Sequence, residues 1–400
     1  MRAILPQLHG CFHWRRSGSV CVAICLALAA PAAAQSRVDL TALDRYFAQA
    51  LSAWEVPGMA VAIVKDGKPA YAKGYGIRER GKPDRVDEHT LFAIASNTKA
   101  FTSAAVAILV DRGKLRWEDA VTKFLPWFQL QDPRVTSDIR VADLLCHRSG
   151  LGTYSGDLLW YGTPYSAAEV VRRARFLKPV FPFRAGYGYS NVLFVAAGEV
   201  VAAASGKSWS AFVKEEFFEP LGMKATVTSV RELQGRFNVA APHGPVGTGE
   251  RPFPWYSWDA AAAAGGIISS VSDLSRWLLL QLGRGELEGR RYFSEDASRV
   301  MWTPHASFRI SKEGESRFPT THFSGYGLGW NLRDYQGRLV VSHGGAYDGM
   351  YSQIALVPEE KLGVVILTNG MTGIADSLAY RVIDAYLGAP ERDWSREGLG

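Results

Sequence analysis

Apolar strand patterns crowd the two ends of this chain, and the stretch between them reads as helix, a layout that few folds accommodate. Near the start, Met59-Ala-Val-Ala-Ile-Val64 is an apolar strand. Lys65-Asp66-Gly67-Lys68 supplies a turn and the chain returns through Gly76, so 58–77 reads as a β-hairpin. Near the end, 338–343, 350–358 and 361–368 read as three strands, with Glu359-Glu360 in the second connection, and 372–387 as a closing helix. Between them, 115–290 is mostly helical patches joined by loops rich in Gly, Pro and Ser. Two helices, 98–110 and 191–204, are apolar nearly all round, the pattern of helices buried on every side, and the second stops at Gly206. Another spans 272–282, capped by Ser270 or Ser272. Strands from both termini must then share one sheet. The expected fold is α+β: an antiparallel sheet built from N- and C-terminal strands and flanked by helices, with a mostly helical middle region and a cleft where the two meet.

The first 34 residues read as a secretory signal peptide rather than as part of that fold. Arg15-Arg16 precede a short apolar run over 20–30, and Ala32-Ala33-Ala34 ends it in the small-residue pattern of a cleavage site. The run is shorter than a bilayer span. The expected mature chain is periplasmic or secreted, carries no membrane span and begins after Ala34. Arg2, Arg15 and Arg16 would leave with a leader that holds no acid, so the overall charge of +6 falls by three. With no Lys/Arg block, that balance does not point to nucleic acid. Cys11, Cys21 and Cys25 lie in the leader, which leaves Cys146 with no partner for a disulfide. Residues 35–390 read as the functional domain and 391–400 as a polar tail or the start of a linker.

Chemistry concentrates at Ser96-Asn97-Thr98-Lys99. A serine and a lysine three apart at a helix start share one face, beside backbone N–H groups and the positive end of the helix dipole. A serine hydroxyl needs a base to become a nucleophile. A lysine serves only when neutral, and burial in an apolar helix lowers its pKa. Lys99 is the only lysine here with a serine three residues before it.

The segment from Phe92 to Thr102 resembles the signature of the serine β-lactamase-like, penicillin-binding superfamily, which includes Tyr-dependent β-lactamases, D-Ala-D-Ala carboxypeptidases, D-aminopeptidases and related esterases. Tyr189-Ser190-Asn191 matches that superfamily's Tyr-x-Asn motif. His343-Gly344-Gly345, at the end of a predicted strand, matches its third motif in a His-x-Gly form. Leu144-Leu-Cys-His-Arg-Ser-Gly-Leu151, Glu219-Pro-Leu-Gly-Met223 and Ala264-Gly-Gly-Ile267 are also similar, and the likeness runs over about 40–387. The resemblance implies that Ser96 is acylated, and that Lys99 and Tyr189 share the proton transfers in an order the sequence leaves open. It implies that Asn191 binds the substrate amide or holds Lys99. The backbone N–H groups of Ser96 and Ala346 would form the oxyanion hole, with Gly345 letting the strand approach the substrate closely.

Many relatives carry Lys-Thr-Gly where this chain has His343. An imidazole of ordinary pKa would hold a substrate carboxylate less well as pH rises through neutrality, which disfavours efficient β-lactam hydrolysis and leaves peptidase, esterase or amidase work open. Trp160-Tyr161 and Trp255-Tyr256-Ser-Trp258 are candidates to line the cleft or to pack as core. No metal-ligand spacing, phosphate loop or Gly-x-Ser-x-Gly elbow is present. No cofactor is expected. The expected partner is a small-molecule or peptide substrate, and the sequence sets no oligomeric state. The expected function is an exported serine hydrolase acting on amide, lactam or ester bonds. The alternatives are a cell-wall D-amino-acid peptidase or a penicillin-binding sensor without turnover.

Overall fold

The computed structural model describes residues 38–246 and 249–399, so the leader expected over 1–34 lies outside the described residues. Helix α1 (Leu40–Ala53) starts at Asp39, whose carboxylate accepts the N–H of Thr41 and Ala42. Strands β1 (Gly58–Lys65) and β2 (Lys68–Gly76) form the expected hairpin. Asp66 and Gly67 both take positive φ, 52° and 79°, as a two-residue turn between twisted strands requires.

The rest of the main sheet comes from the C-terminal third: β3 (Ala306–Ser307), β4 (Ser324–Tyr326), β5 (Asn331–Tyr335), β6 (Arg338–Tyr347), β7 (Met350–Val357) and β8 (Leu362–Thr368). The order is β2-β1-β8-β7-β6-β5-β4-β3, antiparallel throughout. The two chain ends meet at β1 and β8, in register from Met59 opposite Thr368 to Lys65 opposite Leu362.

Both faces of the sheet are covered. The two-residue alternation of a strand divides β1 between two cores. Met59, Val61 and Ile63 face one, with Phe47 of α1 and Leu378 and Val382 of α5 (Ile374–Leu387). Ala60, Ala62 and Val64 face the other, with α2 (Thr98–Asp111), α3 (Asn191–Ser205) and α4 (Val271–Leu282). Double burial explains why β1 and β8 read as continuous apolar runs. Helix α3 has Ser190 as its N-cap and ends at Gly206, φ +73°. Helix α4 is capped by Ser270.

Two expectations need correction. Strand β6 does not stop at His343 but runs on to Tyr347, because Gly344 and Gly345 continue the ladder opposite Gln353 and Ser352. The stretch after 390 is folded rather than a loose tail. Trp394, in the short helix α6 (Trp394–Leu399), has no exposed surface, donates to Asp384 Oδ2 at 2.6 Å and stacks on Tyr380 and Phe318. One large aromatic outweighs the polar residues around it. No single described helix is long and apolar enough to cross a membrane.

Candidate active site

Ser96 lies in a 3₁₀ turn, Ala95–Asn97, that leads straight into α2. Ala95 holds φ at +46°, a left-handed conformation that costs a residue with a β-carbon about 1–2 kcal/mol. Packing against β6 and β7 imposes it. Ser352 Oγ donates to Ile94 O at 2.7 Å and accepts Asn97 Nδ2 at 2.8 Å. The N–H of Ile267 donates to Thr98 Oγ1 at 3.1 Å.

Lys99, in the first turn of α2, has no exposed surface. Its Nζ lies 3.0 Å from Ser96 Oγ, 2.7 Å from Asn191 Oδ1 and 2.9 Å from Ala264 O. Burial pulls its pKa down to about 7, against the weaker attraction of Asp157. A neutral amine has two N–H bonds and one lone pair. Asn191 Oδ1 and Ala264 O can only accept, so they take both N–H bonds. The lone pair is left facing the serine hydroxyl.

Of the two roles expected of Asn191, the contacts show the hold on the lysine: its oxygen accepts from Lys99 and its Nδ2 donates to Asp157 Oδ2 at 2.9 Å. Asp157 is the residue that sequence reasoning missed. It also accepts from Trp160 Nε1 at 3.2 Å, and burial raises its pKa against these hydrogen bonds. Its sequence signal was faint, one acid ahead of Leu158-Leu159-Trp160.

Tyr189 hydrogen-bonds the Ser96 side chain, and burial raises its pKa well above the ordinary phenol value. Lys99 Nζ sits 4.7 Å from its ring centroid. The loop after α2 fixes its backbone: the N–H of Tyr154 donates to Tyr189 O at 2.7 Å, and the N–H of Ser190 donates to His147 Nδ1 at 3.0 Å. His147 therefore serves to hold the backbone beside Tyr189. Tyr187, two residues earlier, packs against Phe308, His147 and Tyr326.

His343 overturns the expectation of a titrating carboxylate anchor. It is 3 % exposed, and burial beside Lys99 lowers its pKa to about 3. Nδ1 lies 2.6 Å from Gly344 O, which only accepts, so the proton is on Nδ1; Nε2 accepts from Tyr326 Oη at 2.9 Å. The ring is neutral and both nitrogens are engaged. Gly345, unlike His343, does not line the cleft. A β-carbon there would lie 2.2 Å from Ile94 O and 2.5 Å from Ser352 Oγ, so this glycine lets β6 close on the Ser96 turn.

Ala346 is exposed at the cleft. The two-residue turn Asp348-Gly349 makes Tyr347 and Met350 a hydrogen-bonded pair, and by alternation Ala346 and Tyr351 are not. Its N–H therefore points away from β7. On the other side β5 ends at Asn331, opposite Ser342, which leaves that N–H outside the ladder and beside the site. The cleft has a volume of ≈ 660 Å³ and is lined by Ser96, Tyr189, Asn191, His343 and Ala346 among others. Among the described residues no group of three His, Cys, Asp or Glu side chains could hold a metal ion.

The family model for Beta-lactamase matches residues 43–387. The chain is 31% identical over 386 residues to an unguisins hydrolase of Aspergillus campestris, a match spanning 88% of this chain and 68% of that one. It is 29% identical over 335 residues to penicillin-binding protein 4 of Amycolatopsis lactamdurans, covering 80% and 82% of the two chains. The octameric penicillin-binding protein homologue from Pyrococcus abyssi superposes with a TM-score of 0.77 at 26% identity, over 88% of this chain and 78% of that one. Fold, matched span and relatives agree, and the chain belongs to the Beta-lactamase family.

Proposed function

We propose that this protein is an exported serine hydrolase that cleaves amide, lactam or ester bonds through an acyl-enzyme on Ser96. The observation that carries the reading is the set of contacts at the buried Lys99 Nζ, 3.0 Å from Ser96 Oγ and held by Asn191 Oδ1 and Ala264 O. In the neutral amine both N–H bonds go to those carbonyl oxygens, and the lone pair accepts from Ser96 Oγ. Lys99 is then the base and Tyr189, a phenol held protonated by burial, is the acid. Ser96 Oγ attacks the carbonyl carbon as its proton moves to Lys99. The N–H groups of Ser96 and Ala346 receive the oxyanion. Tyr189 gives its proton to the leaving group and recovers one from the protonated lysine. Water then repeats the sequence on the acyl-enzyme, with Lys99 again neutral.

The penicillin-binding relatives favour a second reading, acylation with little turnover. Intact-protein mass spectrometry after a fluorophosphonate and after a penicillin decides. A fluorophosphonate adduct mapping to Ser96 supports the activated serine, and its absence overturns the mechanism. A penicillin adduct that persists moves the assignment to the second reading. The export half of the proposal rests on the leader over 1–34, and recovery of the chain in the cytoplasmic fraction with that leader intact would overturn it.

A further inference from the structure

We infer that the acyl group this site accepts is neutral and aromatic, seated on a wall of Trp160, Tyr161 and Trp258 that Asp348 ties to the turn beside the oxyanion hole. The inference rests on the acyl-enzyme reading of Ser96 and names its substrate class.

Three observations carry it. First, the wall converges on the cleft from separate segments. Trp160 meets Trp258 edge-on at 5.0 Å and Tyr161 at 5.8 Å. Around it, Tyr154, Leu158 and Met371 are 60%, 83% and 60% exposed, an apolar rim gathered at one opening rather than scattered over the surface.

Second, the wall is pinned. Asp348 Oδ1 accepts Tyr161 Oη at 2.8 Å and Oδ2 accepts Trp258 Nε1 at 3.2 Å. Asp348 lies in the turn two residues after Ala346, so one carboxylate joins both aromatic segments to the strand that would receive the oxyanion. Side chains fixed in this way lose little conformational freedom on binding.

Third, the cleft offers an anion no counterion. Among the described residues lining it there is no arginine and no lysine. Lys99 lies behind Ser96 with its contacts taken, His343 is neutral, and the one lining carboxylate near the serine is Asp157. A substrate carboxylate would lose water here without a partner. Arg317 and Arg333 line a neighbouring cavity of ≈ 440 Å³, where Arg333 donates to Tyr380 Oη at 3.2 Å and lies 4.2 Å from the Phe318 ring centroid.

The test compares p-nitrophenyl phenylacetate, acetate and hemiglutarate on the full mature chain, with fluorophosphonate labelling of Ser96 as an independent readout. The phenylacetate should exceed both others in kcat/KM by about tenfold or more. Asp348→Ala should cut the phenylacetate-to-acetate ratio by about tenfold, through KM rather than kcat. A hemiglutarate rate equal to or above the phenylacetate rate overturns the inference, most directly if that rate is lost in Arg333→Ala. Equal losses on phenylacetate and acetate in Asp348→Ala overturn the wall and leave Asp348 a part of the oxyanion turn. Should Asp348→Ala fail to give a cooperative melt, Tyr161→Phe removes one hydroxyl and is read the same way. Absence of labelling in the wild type overturns the acyl-enzyme reading, and this inference falls with it.

Discussion

At the scale of the residue, the proposed mechanism makes Lys99 the group that sets the pH behaviour. Its active form there is the free amine, so kcat/KM should rise with pH through about 7 and level off above it. His343, already neutral, should add no limb near 6.5. A profile that falls between pH 6 and 8 would remove Lys99 from the role of base. Stability carries the same signature. The unfolded lysine binds a proton up to its ordinary pKa, whereas the folded one has lost it above about 7, so the chain gains stability as pH rises from 7.5 to 9.5. Lys99→Met should abolish turnover and flatten that slope in a series of melting curves. Tyr189→Phe should lower kcat about 10²- to 10⁴-fold, the usual worth of a positioned acid, without changing the melting temperature.

At the scale of the element, the site depends on how closely β6 approaches the turn that carries Ser96. Gly345→Ala would push its β-carbon into Ile94 O and Ser352 Oγ. The strand must retreat, which should cost about 1–3 kcal/mol of stability, the range for overpacking, and lower kcat together with it. Denaturant unfolding and steady-state rates on the same sample check this. An unaffected rate would mean that β6 does not set the oxyanion geometry. The loop over 147–154 is the second such element, since it frames Tyr189 through the Tyr154 N–H and the His147 imidazole.

At the scale of the molecule, the sheet joins the two chain ends and the C-terminal helices close one face of it. Trp394→Ala removes a fully buried indole and leaves the buried Asp384 carboxylate with Tyr335 as its remaining side-chain partner. A loss of about 3–5 kcal/mol is expected, the range for deleting a buried aromatic, with kcat/KM retained at temperatures where the chain stays folded. Rates that fall while the melting temperature holds would show instead that α6 acts on the cleft.

Much of this was legible in the sequence because it is local. A continuous apolar run over 59–64 is a strand buried on both faces. Asp66-Gly67 is a two-residue turn, and 98–110 and 191–204 are helices with no polar face. Ser96, in the 3₁₀ turn, and Lys99, in the first turn of α2, come to one side because three residues make nearly one helical turn. The tertiary structure decided what depends on desolvation and on contacts far apart in the chain. Burial lowers the pKa of Lys99, raises that of Tyr189 and neutralises His343. The Asn191–Asp157 bond, the seat of Trp394 and the Asp348 tie to Tyr161 and Trp258 join residues whose spacing carries no periodic signal. A side chain's residue type is local information, whereas the pKa and the partner it ends with belong to the space around it.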